Sequence, residues 1–345
     1  MTRVRGLDAA RGLALVGMIV AHLDTRIDFD PGVVASWRHV GDGRAAVLFV
    51  VVAGFSLAMA TGGATPHTGR RLASDRLAVF VRAAVLAGIG ALLTALGTPV
   101  AVILGSYAVF FVVALPFLRL PPLVPLLVGL VLAVLGPLAV AAAERHLPNL
   151  AADPFGQLLI GFPYPALQWS GFLLVGLALG RMRLSTFDLA TLAAAGLGAG
   201  ILLHALMLDV RDRVVAAAPA PDDLLAAVLA PDHRSRNVIE ASSALAIAVA
   251  VLALLVLVTP RLGSLLFPLE AAGRMALTLY VGHVVAYWLV IRADPAMETG
   301  SGPLAAWTIV VALAVATLWF TRLRRGPLEG ALHHLVTVTT GPRPA

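Results

Sequence analysis

The chain has 345 residues, of which 59% are hydrophobic and only 13% charged, with a formal net charge of +6 and a mean hydropathy of +0.92. Soluble domains carry about 25% charged residues, so this composition excludes an ordinary soluble fold and indicates a polytopic membrane protein. Cysteine is absent and all 25 basic residues are arginine, which rules out disulfides, thiolate sites, a P-loop lysine and a lysine Schiff base. Any chemistry must run on His, Asp, Glu, Arg, Ser, Thr and Tyr.

Crossing about 30 Å of hydrocarbon takes roughly 20 apolar residues at about 1.5 Å each. Ten stretches meet that need, near 7–23, 44–61, 77–97, 99–118, 122–143, 165–180, 188–207, 241–259, 273–291 and 302–320. The first carries Asp8 and Arg11 in its opening turns and is followed by no small-residue cleavage site, so it is expected to be a retained helix and not a signal peptide. Gly97-Thr98-Pro99, Pro121-Pro122 and Gly263 with Pro268 are expected to end or restart helices. Pro137 lies inside the fifth stretch, where a kink is expected in place of a break. The fold class predicted is an all-α, polytopic helix bundle of about ten spans. Residues 1–325 form a single transmembrane domain in this reading, and 326–345 form a short cytoplasmic C-terminal tail.

Arginine placement orients the bundle. With the N-terminus cytoplasmic, 16 of the 25 arginines fall on the inner side, and short Arg-rich connections (70–76, 181–183, 322–325) alternate with acid-rich ones (24–42, 209–240, 292–298). Both termini are therefore expected inside, in a multi-pass protein of the plasma membrane. The basic excess is a matter of sidedness, and no nucleic-acid partner is expected.

An ionisable group inside lipid is expensive and marks a candidate site. The first span reads LDAARGLALVGMIVAH from Leu7 to His22. Asp8 and Arg11 are three apart and share a face, so they can neutralise each other. Arg11 and His22 are eleven apart, about 20° from a whole number of turns and about 16 Å along the axis. They line one polar stripe running most of the way across the bilayer. A snorkelling arginine and a helix-end histidine bonded to a loop carbonyl are the competing readings.

The outer connection from Leu23 to Arg44 is dense in charge, and His39, Asp42 and Arg44 stand closest to the next helix, ahead of the Asp28 to Asp30 tip. A histidine with acidic neighbours there could be oriented as a general base. The segment Gly273 to His283 opens the ninth span with Arg274 at its inner end and His283 near its middle, turned about 180° away. A neutral histidine bonded across helices is the plainer account of His283. Gln168 and Trp169 open the sixth span, where a tryptophan is commonly an interfacial anchor. His204, Asp209 and the group from Asp232 to Glu240 have weaker signals, as do Arg70-Arg71 and Arg181-Met182-Arg183, which would suit phosphates but also follow from topology alone. No HExxH, no GxSxG and no paired carboxylates within the spans are present, which counts against proteases and lipases, and no metal site is expected.

The run from Leu7 to Met18 followed by His22 resembles the opening helix of the YeiB-like membrane proteins, which group with heparan-alpha-glucosaminide N-acetyltransferase among transmembrane acyltransferases. Gly43 to Phe49 with Ala53-Gly54, Gln168-Trp169 leading to Gly176–Arg181, and Gly273 to Tyr280 with His283 extend that resemblance over nearly the whole chain. The Arg-X10-His spacing of Arg11 and His22 is also similar to that of the membrane acyltransferase-3 group. One departure stands in the first outer loop. The eukaryotic glucosaminide enzymes have a histidine just before Ala-Ser-Trp, whereas Val34 precedes Ala35-Ser36-Trp37 here and the nearest histidine is His39.

The resemblance implies transfer of an acyl group, acetyl above all, from cytoplasmic acetyl-CoA or another acyl-CoA to an extracytoplasmic saccharide or glycolipid. The acyl-CoA is a co-substrate, no tightly bound cofactor is expected, and membrane lipid is the surrounding partner. His22 is the first candidate for base or acyl acceptor and His39 the second. Asp8, Arg11, Arg274 and His283 are assigned to the donor; Asp42, Arg44, Gln168 and Trp169 to the acceptor. A transporter with intramembrane Arg and His on the substrate path is the alternative, although transporters often show duplicated halves and none is visible here. The oligomeric state is left open by the sequence.

Overall fold

The computed structural model describes residues 4–25, 32–217 and 237–341. The loop tip at Asp28 and Asp30 and the charged run 232–236 lie outside the described residues. Among the described residues the chain is helical throughout, and its one β feature is an isolated bridge between Asp24 and Gly300. The helices are α1 (Arg5–Leu23), α2 (Arg44–Ala60), α3 (Gly69–Ala95), α4 (Leu104–Ala114), α5 (Leu123–His146), two short helices α6 (Pro148–Ala152) and α7 (Pro154–Ile160), α8 (Ala166–Arg181), α9 (Thr186–Ala217), α10 (Val238–Arg274), α11 (Ala276–Ala293), α12 (Gly302–Arg322) and α13 (Pro327–Thr340).

Among the described residues, eight helices are long and apolar enough to cross a membrane. The other two expected spans are shorter: α4 with the 3₁₀ turn that extends it to Arg119, and the 16-residue α8. This is an integral-membrane bundle, and its surface shows why. Large apolar side chains face outward on the peripheral helices, as with Leu127 and Val131 on α5, Ile201 and Leu202 on α9, and Trp307 and Leu318 on α12. Such faces are stable only against lipid. The innermost helix is α8, where every residue but Leu167 is buried, packed against α2, α4 and α5.

Lipid supplies no hydrophobic drive to bring helices together, so close approach depends on small residues. A Cβ added to Gly273 of α10 would collide with the Asp8 carbonyl oxygen, and one added to Gly12 of α1 would collide with that of Leu269. Gly54 and Gly176 make the matching approach between α2 and α8. These contacts bring α1 and α10 backbone to backbone and hold the Arg11 end of α1 in the interior.

Several boundaries differ from the sequence expectation. The fourth span begins at Leu104 and not at 99, because residues 99–103 run as an irregular segment, buried at Val100 and Ile103, two of whose backbone groups are met by tyrosines. The Tyr164 hydroxyl donates to the Ala101 carbonyl (3.3 Å), and the Tyr280 hydroxyl accepts from the Ile103 N–H (3.3 Å). Non-helical backbone at membrane depth is tolerated where the protein buries and satisfies it. Helix α5 continues through Pro137. Gly263 does restart a helix: the backbone leaves helical geometry at Leu262 (φ −107°, ψ 19°), and after this kink a second helical stretch, joined to the first within α10, runs through Pro268 to Arg274. Arg274 therefore closes α10 and does not open the ninth span, the break falling at Met275 (φ −124°, ψ 37°). Beyond residue 325, where a tail is expected, α13 folds against α3 and α11.

Arg181, of the Arg181-Met182-Arg183 run, has a structural task. It is 3% exposed and donates to the carbonyls of Ala58 (3.3 Å), Thr61 (3.1 Å) and Gly63 (2.8 Å) and to the Thr61 hydroxyl (2.7 Å). These groups lie at the last turn of α2 and in the turn that follows it, so α8 holds the end of α2 with a buried guanidinium.

Candidate active site

The polar stripe of α1 joins two groups of residues at opposite ends of the helix. At the first, Arg11 Nη1 donates to Asp8 Oδ1 (3.3 Å) and to the Gly273 carbonyl (3.1 Å), while Nη2 donates to Ser56 Oγ (2.5 Å). The Ser56 hydroxyl in turn donates to the Val52 carbonyl (2.7 Å). Arg11 is thus fixed by α1, α2 and α10 at once, and the snorkelling reading does not describe it.

Arg11 opens onto a cavity of about 360 Å³ walled by α1, α2, α3, α4, the end of α10, α11 and α13, at the small end of the roughly 300–1,000 Å³ range of small-molecule sites. Two further arginines, Arg82 and Arg274, line it with Arg11. Arg274 is held over the Phe320 ring at 3.6 Å and donates to the Arg324 carbonyl (3.2 Å). Glu329 of α13 forms part of the same wall; its carboxylate accepts from the backbone N–H groups of Leu277 (2.7 Å) and Thr278 (3.1 Å) and from the Thr278 hydroxyl (2.6 Å). A carboxylate on a helix N-terminus complements its dipole, so α13 caps α11. The rest of the wall is apolar or aromatic, including Phe49, Tyr107, Phe111 and Tyr280.

The second group sits beyond Tyr280. His22 Nδ1 lies 3.0 Å from His283 Nε2, with the rings nearly parallel at 6°. The Tyr280 ring meets both edge-on, its centroid 5.1 Å from that of His283 and 6.2 Å from that of His22. His283 Nδ1 faces the Leu279 carbonyl at 3.2 Å. A carbonyl only accepts, so His283 carries its proton on Nδ1 and presents Nε2 as an acceptor. His22 must then donate from Nδ1, which makes Nε2 the basic nitrogen of neutral His22.

Two residues past His22, a charged knot closes the same end of the bundle. Asp24 Oδ2 accepts from Arg38 Nε (2.6 Å) and lies 3.3 Å from His39 Nε2, and His39 Nδ1 lies 2.9 Å from Asp42 Oδ2. His39 is fully buried, with both ring nitrogens engaged. The Ser301 N–H donates to the Leu23 carbonyl (2.7 Å), tying the start of α12 into the knot.

The structure pairs Asp8 with Arg11 and sets Arg11 and Arg274 on one cavity, but places His283 at the other end of α1 with His22. Of the acceptor set, Asp42 joins the knot, whereas Arg44 turns to α9, with Nη2 2.9 Å from His204 Nδ1. Gln168 is fully buried and Trp169 1% exposed, the latter edge-on to Tyr164 at 4.9 Å. Trp169 is an interior residue and not an interfacial anchor. Arg82, Ser56, Tyr107 and Glu329 were not singled out by sequence. A tyrosine within an apolar span is the signal that points to Tyr107, since only four tyrosines occur in the chain.

A cavity lined by three arginines, with a histidine pair beyond the tyrosine of its wall, sets ionisable groups inside an integral-membrane helix bundle, where they mark a candidate site. More narrowly, the chain belongs to the heparan-alpha-glucosaminide N-acetyltransferase, catalytic family, whose model matches residues 3–207. A second family, described as a protein of unknown function (DUF418), matches residues 187–339. Comparison with the curated proteins finds no match. The family places the chain among proteins of membrane acetyltransferase type.

Proposed function

We propose that the chain moves an acyl group, acetyl above all, from an acyl-CoA on the cytoplasmic side to a saccharide or glycolipid on the outer side of the plasma membrane. The observation that carries this reading is one continuous arrangement. Arg11, Arg82 and Arg274 line the cavity, Tyr280 stands at its wall, and the His22–His283 pair lies directly behind that ring. With the N-terminus cytoplasmic, the orientation that the arginine bias favours, the arginines face the compartment that supplies the donor.

The chemistry follows from what each end offers. Arginine forks suit phosphate oxygens, and the narrow aromatic cavity suits the uncharged pantetheine arm and a short acyl group, leaving the nucleotide at the entrance. His22 Nε2 supplies the lone pair for transfer. It takes the proton of an acceptor hydroxyl or amine as that atom attacks the thioester carbon, or it attacks first and holds the acyl group briefly. In either route the C–S bond breaks, the sulfur leaves with the electron pair, and the proton released by the acceptor ends on the CoA thiol.

His39 is less suited to the task, because both of its nitrogens are engaged and its ring is closed off from solvent. Asp42 and the Asp24 knot stand where an outer acceptor would arrive.

The reading is tested by titrating the purified protein in nanodiscs with acetyl-CoA and following melting temperature and heat of binding. Saturable binding that weakens in Arg11→Gln supports it. No binding of acetyl-CoA or CoA by the wild type would remove it.

A further inference from the structure

Tyr107 stands on α4 inside the proposed donor cavity and has no assigned task. It is 3% exposed, and its hydroxyl is enclosed with no hydrogen-bond partner among the described residues. A buried phenol normally finds a partner, and leaving one unmet is destabilising. The other two tyrosines at this level are satisfied through residues 99–103: Tyr164 donates to Ala101 and Tyr280 accepts from Ile103.

The Tyr107 ring is fixed by its neighbours. Phe49 and Phe111 meet it edge-on at 5.8 Å, and Phe110 packs at 5.5 Å. Such packing leaves the ring little freedom to turn toward another partner. Tyr107 lines the same cavity as Arg11 and Tyr280. A hydroxyl held there, in an apolar aromatic wall, is a preorganised donor awaiting an acceptor oxygen.

On the acyl-CoA reading, the acceptor that arrives at this depth is the thioester carbonyl. We infer that the Tyr107 hydroxyl donates a hydrogen bond to the carbonyl oxygen of the donor's acyl group, orienting the thioester toward His22 and stabilising the charge that builds on that oxygen. Tyr107 keeps its proton throughout. The acyl carbon bonds to the attacking nitrogen or oxygen, the carbonyl π electrons shift onto the oxygen and return, and the thiolate leaves. In a site shielded from water such a donor counts for more than in solution, and removing one typically lowers turnover by about 10²- to 10³-fold. Phe49 and Phe111 would also limit the acyl group to a short chain.

The test rests on the bound donor itself. Acetyl-CoA carrying ¹³C at the carbonyl is added to the wild type and to Tyr107→Phe in nanodiscs, and the carbonyl stretch is read by isotope-edited infrared difference spectroscopy. Binding of CoA, which lacks the carbonyl, is measured alongside. The expected result is a carbonyl band at lower wavenumber than in buffer for the wild type, moving back toward the buffer position in Tyr107→Phe, with CoA affinity altered by less than about threefold. A wild-type band that is not lowered while acetyl-CoA is bound would overturn the inference whether or not the variant folds, as would a band lowered equally in both proteins. A wild type that binds neither acetyl-CoA nor CoA would instead remove the acyl-CoA reading, and the hydrogen bond with it.

Discussion

His22 Nδ1 and His283 Nε2 stand 3.0 Å apart, across the space between the first and eleventh helices. The Leu279 carbonyl fixes the tautomer of His283, and His283 in turn fixes that of His22. On the proposed reading His283 would position His22, much as a carboxylate orients the base in a hydrolytic triad.

If an acyl group is carried on His22 Nε2, the Nδ1 proton of that imidazolium has an acceptor already in place on His283. His283→Ala is expected to lower acyl transfer by about 10²-fold with donor affinity unchanged. The measurement is a kcat against KM comparison together with a pH–rate profile, because a purely structural loss would not move the profile of the transfer step. Equal kcat in variant and wild type would show that the pair takes no part.

Arg11 is held by three elements, so its guanidinium is preorganised for an anion. Arg11→Gln is expected to weaken acetyl-CoA binding by roughly tenfold to a hundredfold, the range for a lost hydrogen bond to a charged group. Raising the salt concentration should reduce wild-type affinity more than that of the variant. Titration calorimetry at two ionic strengths checks both statements.

His39→Gln separates the two histidine candidates. His39 bridges Asp24 and Asp42 in a buried knot, so its replacement should lower the melting temperature while the folded fraction keeps most of its activity. Breaking a buried charged network typically costs about 3–5 kcal/mol. A drop of about 10²-fold in kcat with unchanged melting temperature would make His39 the base instead.

Gly273→Leu tests the backbone contact that seats Arg11. A side chain there would meet the Asp8 carbonyl and the Gly12 nitrogen, which are backbone atoms that cannot swing aside. Overpacking of a tight contact costs about 1–3 kcal/mol and sometimes more. The expected outcome is a lower melting temperature and loss of donor binding together. A stable variant with full binding would show that α1 and α10 can part without disturbing the site.

Much of this arrangement was legible in the residues. The spacing of Arg11 and His22 on one face of α1 put them at opposite ends of a single stripe, and Asp8 was matched to Arg11 because residues three apart on a helix are neighbours. The spans were visible because twenty apolar residues have few other uses in a chain. What escaped was set by tertiary contact. Arg274 looked like the start of a helix because Gly273 precedes it, yet the α1 backbone needs that glycine for close approach, and the helix runs on through it to break at Met275. The 99–103 segment read as helix because it is apolar; only the hydroxyls of Tyr164 and Tyr280, from distant parts of the chain, make its irregular backbone affordable. His283 and His22 are 261 residues apart, and no local pattern could pair them. Glu329 was hidden for the same reason, since a helix N-terminus shows its need for a carboxylate but not which one answers it.

The most direct test of the account uses sealed proteoliposomes with acetyl-labelled acetyl-CoA supplied on the arginine side and an envelope glycolipid extract on the other. The expected result is label on the far-side acceptor with CoA released on the near side, and no labelled acceptor with folded His22→Ala. Undiminished labelling by His22→Ala, or passage of intact acetyl-CoA across the membrane without transfer, would contradict it.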